Sequence, residues 1–143
     1  MTGSNLPSVP DGLASSDGSA DRRLILVVDD EPSVRAMVLA SIRVRAARYG
    51  VVEAGNAADA LTQAQQHQPD LVLLDVALPD HDGFWVCREL KTDPRTGHIP
   101  VVMLTAMSLP SDRDKAMAAG ADGYIVKPFS PRALLEQLDR RLA

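Results

Sequence analysis

One cysteine, Cys87, is all the chain holds, which excludes an internal disulfide and any multi-cysteine zinc site and suits a reducing compartment. Aromatic residues make up only 3%, so the core has to be built from Val, Leu, Ile, Met and Ala. No apolar stretch approaches the roughly 18 residues of a membrane span. Residues 1–23 contain no hydrophobic run that could act as a signal-peptide core. The expectation is a protein that stays in the cytoplasm, away from the membrane. Positive charge is scarce as well: 15 Lys and Arg stand against 19 Asp and Glu, a net charge of −4. Arg132, Arg140 and Arg141 are too few to form a binding stripe, so direct contact with nucleic acid is not expected.

What is present is globular. Hydrophobic residues reach 45% and charged residues 24% of 143, enough for one domain with a sizeable core and too few for two of ordinary size. Residues 1–22 are rich in Ser, Gly, Pro and Asp and cannot bury enough surface to offset ordering, so they read as a flexible leader to a domain over 23–143.

From Leu24 onward, short aliphatic runs alternate with amphipathic stretches of helical length, the pattern of β/α units on a parallel sheet. Strands are expected over 24–28, 51–54, 70–74, 100–104 and 122–126. Leu71 to Leu74 and Val101 to Leu104 are unbroken apolar runs, as in strands covered on both faces. Pro32 fits a first helical turn, with Val34, Met37, Val38 and Ile42 along one face. Asn56 with Asp59 forms an N-cap arrangement ahead of Ala60, Leu61 and Ala64. Later helices are expected over 84–91, 111–119 (ending at Gly120) and 131–142.

Three carboxylates fall at strand ends: Asp29 and Asp30 after the first strand, Asp75 after the third. In a doubly wound (βα)5 sheet of flavodoxin-like order, 2-1-3-4-5, these strands are neighbours, and ligands bind at their carboxyl ends. Three converging acids repel one another unless a cation or proton sits among them. Oxygen-only donors select a hard metal, and so small a set suits Mg²⁺, which keeps waters and leaves room for a phosphate oxygen. Thr105 follows the fourth strand and Lys127 the fifth, adding a hydroxyl and an ammonium at the same rim, the groups that would hold the oxygens of an acyl phosphate. The bland readings are a helix cap for Asp29-Asp30-Glu31-Pro32, a turn residue for Thr105 and a solvated Lys127. Their coincidence on four strand ends favours the site.

The series Val28-Asp29-Asp30-Glu31-Pro32, Leu74-Asp75-Val76-Ala77-Leu78-Pro79 with Asp82-Gly83, Leu104-Thr105-Ala106 and Gly123-Tyr124-Ile125-Val126-Lys127-Pro128-Phe129 resembles the receiver domains of two-component response regulators. The resemblance runs from Leu24 to Ala143. It implies that Asp75 accepts a phosphoryl group from the phosphohistidine of a sensor histidine kinase or a histidine phosphotransfer protein. It further implies Mg²⁺ on Asp30, Asp75 and the Ala77 carbonyl, with Asp29 holding it through water. Thr105 and Tyr124 would form the switch, and Lys127 would pair with the phosphoryl group across a cis peptide to Pro128. A downstream protein would meet the face of the fourth helix, fifth strand and fifth helix, and a dimer could form on phosphorylation. Such a domain is a switch that catalyses only its own phosphotransfer and dephosphorylation.

Some residues depart from the family pattern. Leu78 stands where Met is common, and Arg48-Tyr49-Gly50 replaces a Gly-Tyr order, so the first helix is expected to end unusually. Ala77 and Met107 are apolar where polar side chains orient a hydrolytic water. Asp80-His81-Asp82 reads as an exposed turn rather than a metal site, His67 and His98 fit no ligand spacing, and Cys87 reads as a small core residue. A phosphatase of the haloacid-dehalogenase type would need an Asp at position 77. A flavin module would need a Gly/Ser/Thr-rich loop where Asp29-Asp30-Glu31 stands. A degenerate receiver would lack part of the five-residue set.

Overall fold

The computed structural model describes residues 22–106 and 110–142; Met107 and, apart from Arg22, the leader expected over 1–22 lie outside the described residues. Five strands and five helices alternate: β1 (Arg23–Val28), α1 (Pro32–Arg43), β2 (Tyr49–Ala54), α2 (Ala57–His67), β3 (Leu71–Asp75), α3 (Gly83–Thr92), β4 (Val101–Thr105), α4 (Pro110–Ala118), β5 (Gly123–Val126) and α5 (Pro131–Leu142). All strand pairings are parallel, in the order β2-β1-β3-β4-β5. This is the expected flavodoxin-like order.

Successive strand residues point to opposite faces, and both faces are covered. Ile25, Val27, Leu71, Leu73, Val102 and Leu104 pack with Val38 and Ile42 of α1 and with Leu134, Leu135 and Leu138 of α5. Leu26, Val28, Val72, Leu74, Val101 and Met103 pack against α2, α3 and α4 through Ala60, Ala64, Val86, Cys87, Leu90 and Ala116. Two-sided burial explains why β3 and β4 lack polar alternation.

Boundaries differ by one or two residues. β2 begins at Tyr49, and β3 and β4 each include their terminal Asp75 and Thr105. The end of α1 is unusual, as expected. No glycine closes it; Val44, Arg45 and Ala46 bond back to Ser41, Ile42 and Arg43 in tightening turns. Buried Tyr49 then donates its hydroxyl to Asp139 of α5 at 2.5 Å, and Arg45 and Arg48 reach the same carboxylate at 3.3 and 3.2 Å. α4 closes on Gly120 at φ +88°, where Gly120 N–H bonds Met117 O and Ala121 N–H bonds Ala116 O. That pair of bonds is the glycine-closed helix terminus that the sequence implies.

Candidate functional site: an acidic pocket at the strand ends

Strand register builds the site. Val28 pairs with Leu74, so Asp29 and Asp75 leave neighbouring strands at one level. Asp75 in turn pairs with Leu104 and Thr105 with Val126. Four adjacent strand ends therefore deliver Asp29, Asp30, Asp75, Thr105 and Lys127 to one rim. It lies where the chain departs β1 and β3 toward opposite faces, the crevice position of doubly wound sheets.

Carboxylate oxygens of Asp29, Asp30 and Asp75 lie within 4.8 Å of one another. Asp29 is fully buried and Asp75 nearly so, while Asp30 is exposed. Lys127 bridges the two buried acids, donating from Nζ to Asp75 Oδ1 at 3.0 Å and to Asp29 Oδ2 at 3.2 Å. Asp29 Oδ1 accepts from Glu31 N–H at 2.9 Å. Burial, the largest influence, pushes the Asp75 carboxyl above the ordinary aspartate value; the Lys127 bond and the Ala77 amide oppose it, and the Asp29 charge reinforces it. For Lys127 burial works against the charge, but Asp75 and Asp29 outweigh it and hold the ammonium above the usual lysine range.

Three carboxylates and one ammonium leave two negative charges on oxygen donors. A hard divalent cation that keeps part of its hydration shell fits that donor set. Thr105 is buried at the end of β4, and its carbonyl accepts from Lys127 N–H at 2.6 Å. The Lys127–Pro128 peptide is cis. Half-buried Tyr124 on β5 packs on the α2-α3-α4 side, and Arg113 of α4 holds its hydroxyl at 2.8 Å.

Close approach fixes one glycine. A Cβ on Gly83 would stand 2.2 Å from the carbonyl oxygen of Asp75, so no larger residue lets α3 start against the strand that carries Asp75.

Two contributors escape sequence reasoning. Arg35 of α1 donates from Nη1 to the Asp29 carbonyl at 2.5 Å; the only available signal is its place one helical turn after Glu31. Asp80 lies in the exposed turn as expected, yet its carboxylate accepts from Ala57 and Ala58 N–H at 2.8 and 3.0 Å, tying the loop after β3 to the start of α2. No local pattern announces a cap supplied from a distant loop. In the same turn Asp82 caps α3 through Trp85 N–H, and His81 stacks on Trp85 with ring centroids 3.9 Å apart.

Residues 25–139 match the model of the response regulator receiver domain, and the chain belongs to that family. It is a receiver domain of two-component signalling. It is 42% identical over 123 residues to a DNA-binding dual master transcriptional regulator, RpaA, of Synechocystis, covering 81% of this chain and 50% of that protein. It is 40% identical over 116 residues to the phosphate regulon regulatory protein PhoB of Pseudomonas aeruginosa, covering 81% and 50%. The chain thus spans about half the length of these relatives. Their names speak of DNA binding and transcriptional regulation, so the expectation of no nucleic-acid partner finds no support from them. Among solved structures it resembles the chemotaxis response regulator CheY4 of Vibrio cholerae (TM-score 0.77, 33% identity, covering 84% of this chain and 98% of that one). It likewise resembles the receiver domain of a P. aeruginosa sensor histidine kinase with a magnesium ion in its active site cleft (TM-score 0.77, 30% identity, 85% and 98%). Among the described residues no helix is long and apolar enough to cross a membrane.

Proposed function

We propose that residues 23–143 form a phosphorylation switch in which Asp75 takes a phosphoryl group from the phosphohistidine of a sensor kinase or histidine phosphotransfer protein, in the cytoplasm. The observation that carries this reading is the Lys127 ammonium at 3.0 Å from Asp75 inside a cluster of three carboxylates.

An Asp75 oxygen would form the new P–O bond as the P–N bond to the donor imidazole breaks, the electron pair leaving with the ring nitrogen. Asp30, Asp75 and the Ala77 carbonyl would hold Mg²⁺, with Asp29 reaching it through water. The ion supplies charge neutralisation for the transferring oxygens. Lys127 opposes the burial that raises the Asp75 carboxyl and would then hold a phosphoryl oxygen. Thr105 would donate its hydroxyl to another oxygen, and Tyr124 would follow that movement, biasing existing states of the α4-β5-α5 face. Output is regulatory, through contact of that face with a downstream protein or a second copy after phosphorylation. Transcriptional control through DNA, which the relatives' names state of them, is a second reading for a protein that carries this domain. We infer no turnover of external substrates, because Ala77 offers no acid or base beside Asp75.

Incubation with acetyl phosphate tests the reading. The expected product is a single hydroxylamine-labile phosphate that forms with Mg²⁺ and not in EDTA; a hydroxylamine-stable phosphate, or labelling indifferent to Mg²⁺, contradicts it.

A further inference from the structure

We infer that Arg35 is a positioning residue for the metal-binding acids, setting Mg²⁺ affinity by holding the backbone between Asp29 and Asp30. The inference rests on the proposed metal reading and names a residue that this reading does not use. Asp29 needs little help: it is buried, with its two carboxylate oxygens engaged by Glu31 N–H and Lys127. Asp30 is different. Its carboxylate is exposed, and among the described residues it accepts no hydrogen bond and joins no ion pair, yet it stands within 4.8 Å of the other two. What the fold holds of Asp30 is therefore the backbone that carries it.

That backbone is clamped from α1. Arg35 donates from Nη1 to the Asp29 carbonyl at 2.5 Å, the oxygen of the peptide that leads into Asp30. The same guanidinium donates from Nε to Glu53 of β2 at 3.2 Å, and a Cβ on Gly55 would come 3.2 Å from Nη1. A half-buried guanidinium held at the Asp29 carbonyl and by the exposed Glu53 carboxylate keeps its orientation and passes it to the peptide plane. Residues that orient metal ligands without touching the ion commonly change affinity by tenfold or more when lost.

Charge complicates the single substitution, since removing Arg35 alone leaves Glu53 to attract the cation. The double variant R35M/E53M removes both and keeps the net charge. Calorimetric titration of the full chain with Mg²⁺ is expected to show binding about tenfold weaker than the parent, while the melting temperature in EDTA stays near that of the parent. Should the double variant fail to fold, R35K carries the test: the charge stays, the two-pronged grip is lost, and affinity is expected to fall about threefold. Equal affinity in the variant that folds, beside a parent that binds, overturns the inference alone. A parent that binds no Mg²⁺ overturns the metal reading and this inference with it.

Discussion

Arg113 donates from Nε to the Tyr124 hydroxyl at 2.8 Å, and its guanidinium carbon lies 5.4 Å from the centre of the same ring. One exposed side chain of α4 thus grips the tyrosine of β5 by both its polar end and its face. At an exposed site the two contacts together amount to about 1 kcal/mol, or roughly a fivefold bias between tyrosine positions. Arg113→Ala is expected to shift Tyr124 toward its alternative position before any phosphorylation. Fluorotyrosine labelling reads this directly, because the chain has two tyrosines and buried Tyr49 serves as the internal control. Movement of the Tyr124 resonance alone is the expected result; no movement means that Arg113 does not hold Tyr124 in place.

Lys127 occupies the charge position that a cation would share. Lys127→Met leaves Asp29 and Asp75 buried without their counter-charge, which should cost about 2–3 kcal/mol in EDTA. The same change removes a competitor for those oxygens, so Mg²⁺ should raise the melting temperature more in the variant than in the parent. Thermal melts with and without Mg²⁺ check both statements, and equal stabilisation by Mg²⁺ would refute the competition.

Asp139 holds the α1-β2 turn from α5. The Tyr49 hydrogen bond, with Arg45 and Arg48, keeps its carboxyl below the ordinary aspartate value despite some burial. A lowered native value means that the contribution is complete above an ordinary pKa of about 3.9 and is lost as pH falls from there through the native value. Asp139→Ala also strands a buried hydroxyl on Tyr49, at about 1–2 kcal/mol. Urea titrations should show the variant less stable at pH 7, with the gap narrowing as pH falls below about 3.9 and the stranded-hydroxyl part remaining; a constant gap would place the charge effect elsewhere.

Cys87 is fully buried on α3, and burial pushes its thiol up to about 11. Iodoacetamide is therefore expected to spare it at pH 8 in the native protein and to modify it in urea. Rapid native alkylation would mean that α3 opens far more easily than its packing implies.

The sheet was legible because aliphatic runs such as Leu71 to Leu74 permit little but buried strands, and acids set directly after them fall at strand ends by geometry. Asp75 and Thr105 sit one residue further inside their strands than expected, since backbone pairing continues past the last apolar side chain. The Asn56 cap was legible because its partner Asp59 is local. Asp80 on the α2 terminus and Asp139 on Tyr49 were not: each joins elements through a long-range contact that leaves no spacing in the sequence. Arg35 is near Asp29 in sequence, but a bond to a backbone carbonyl calls for no particular partner residue. The role expected of Met107 lies outside the described residues.

Phosphorylation of Asp75→Asn bears most directly on the central claim. The amide is nearly isosteric and retains an oxygen for Lys127, so the fold is expected to survive while the nucleophile is lost. After acetyl phosphate and Mg²⁺, intact-mass spectrometry should find one phosphoryl group on the parent and none on the variant; equal labelling of the two would contradict the assignment of Asp75 as the acceptor.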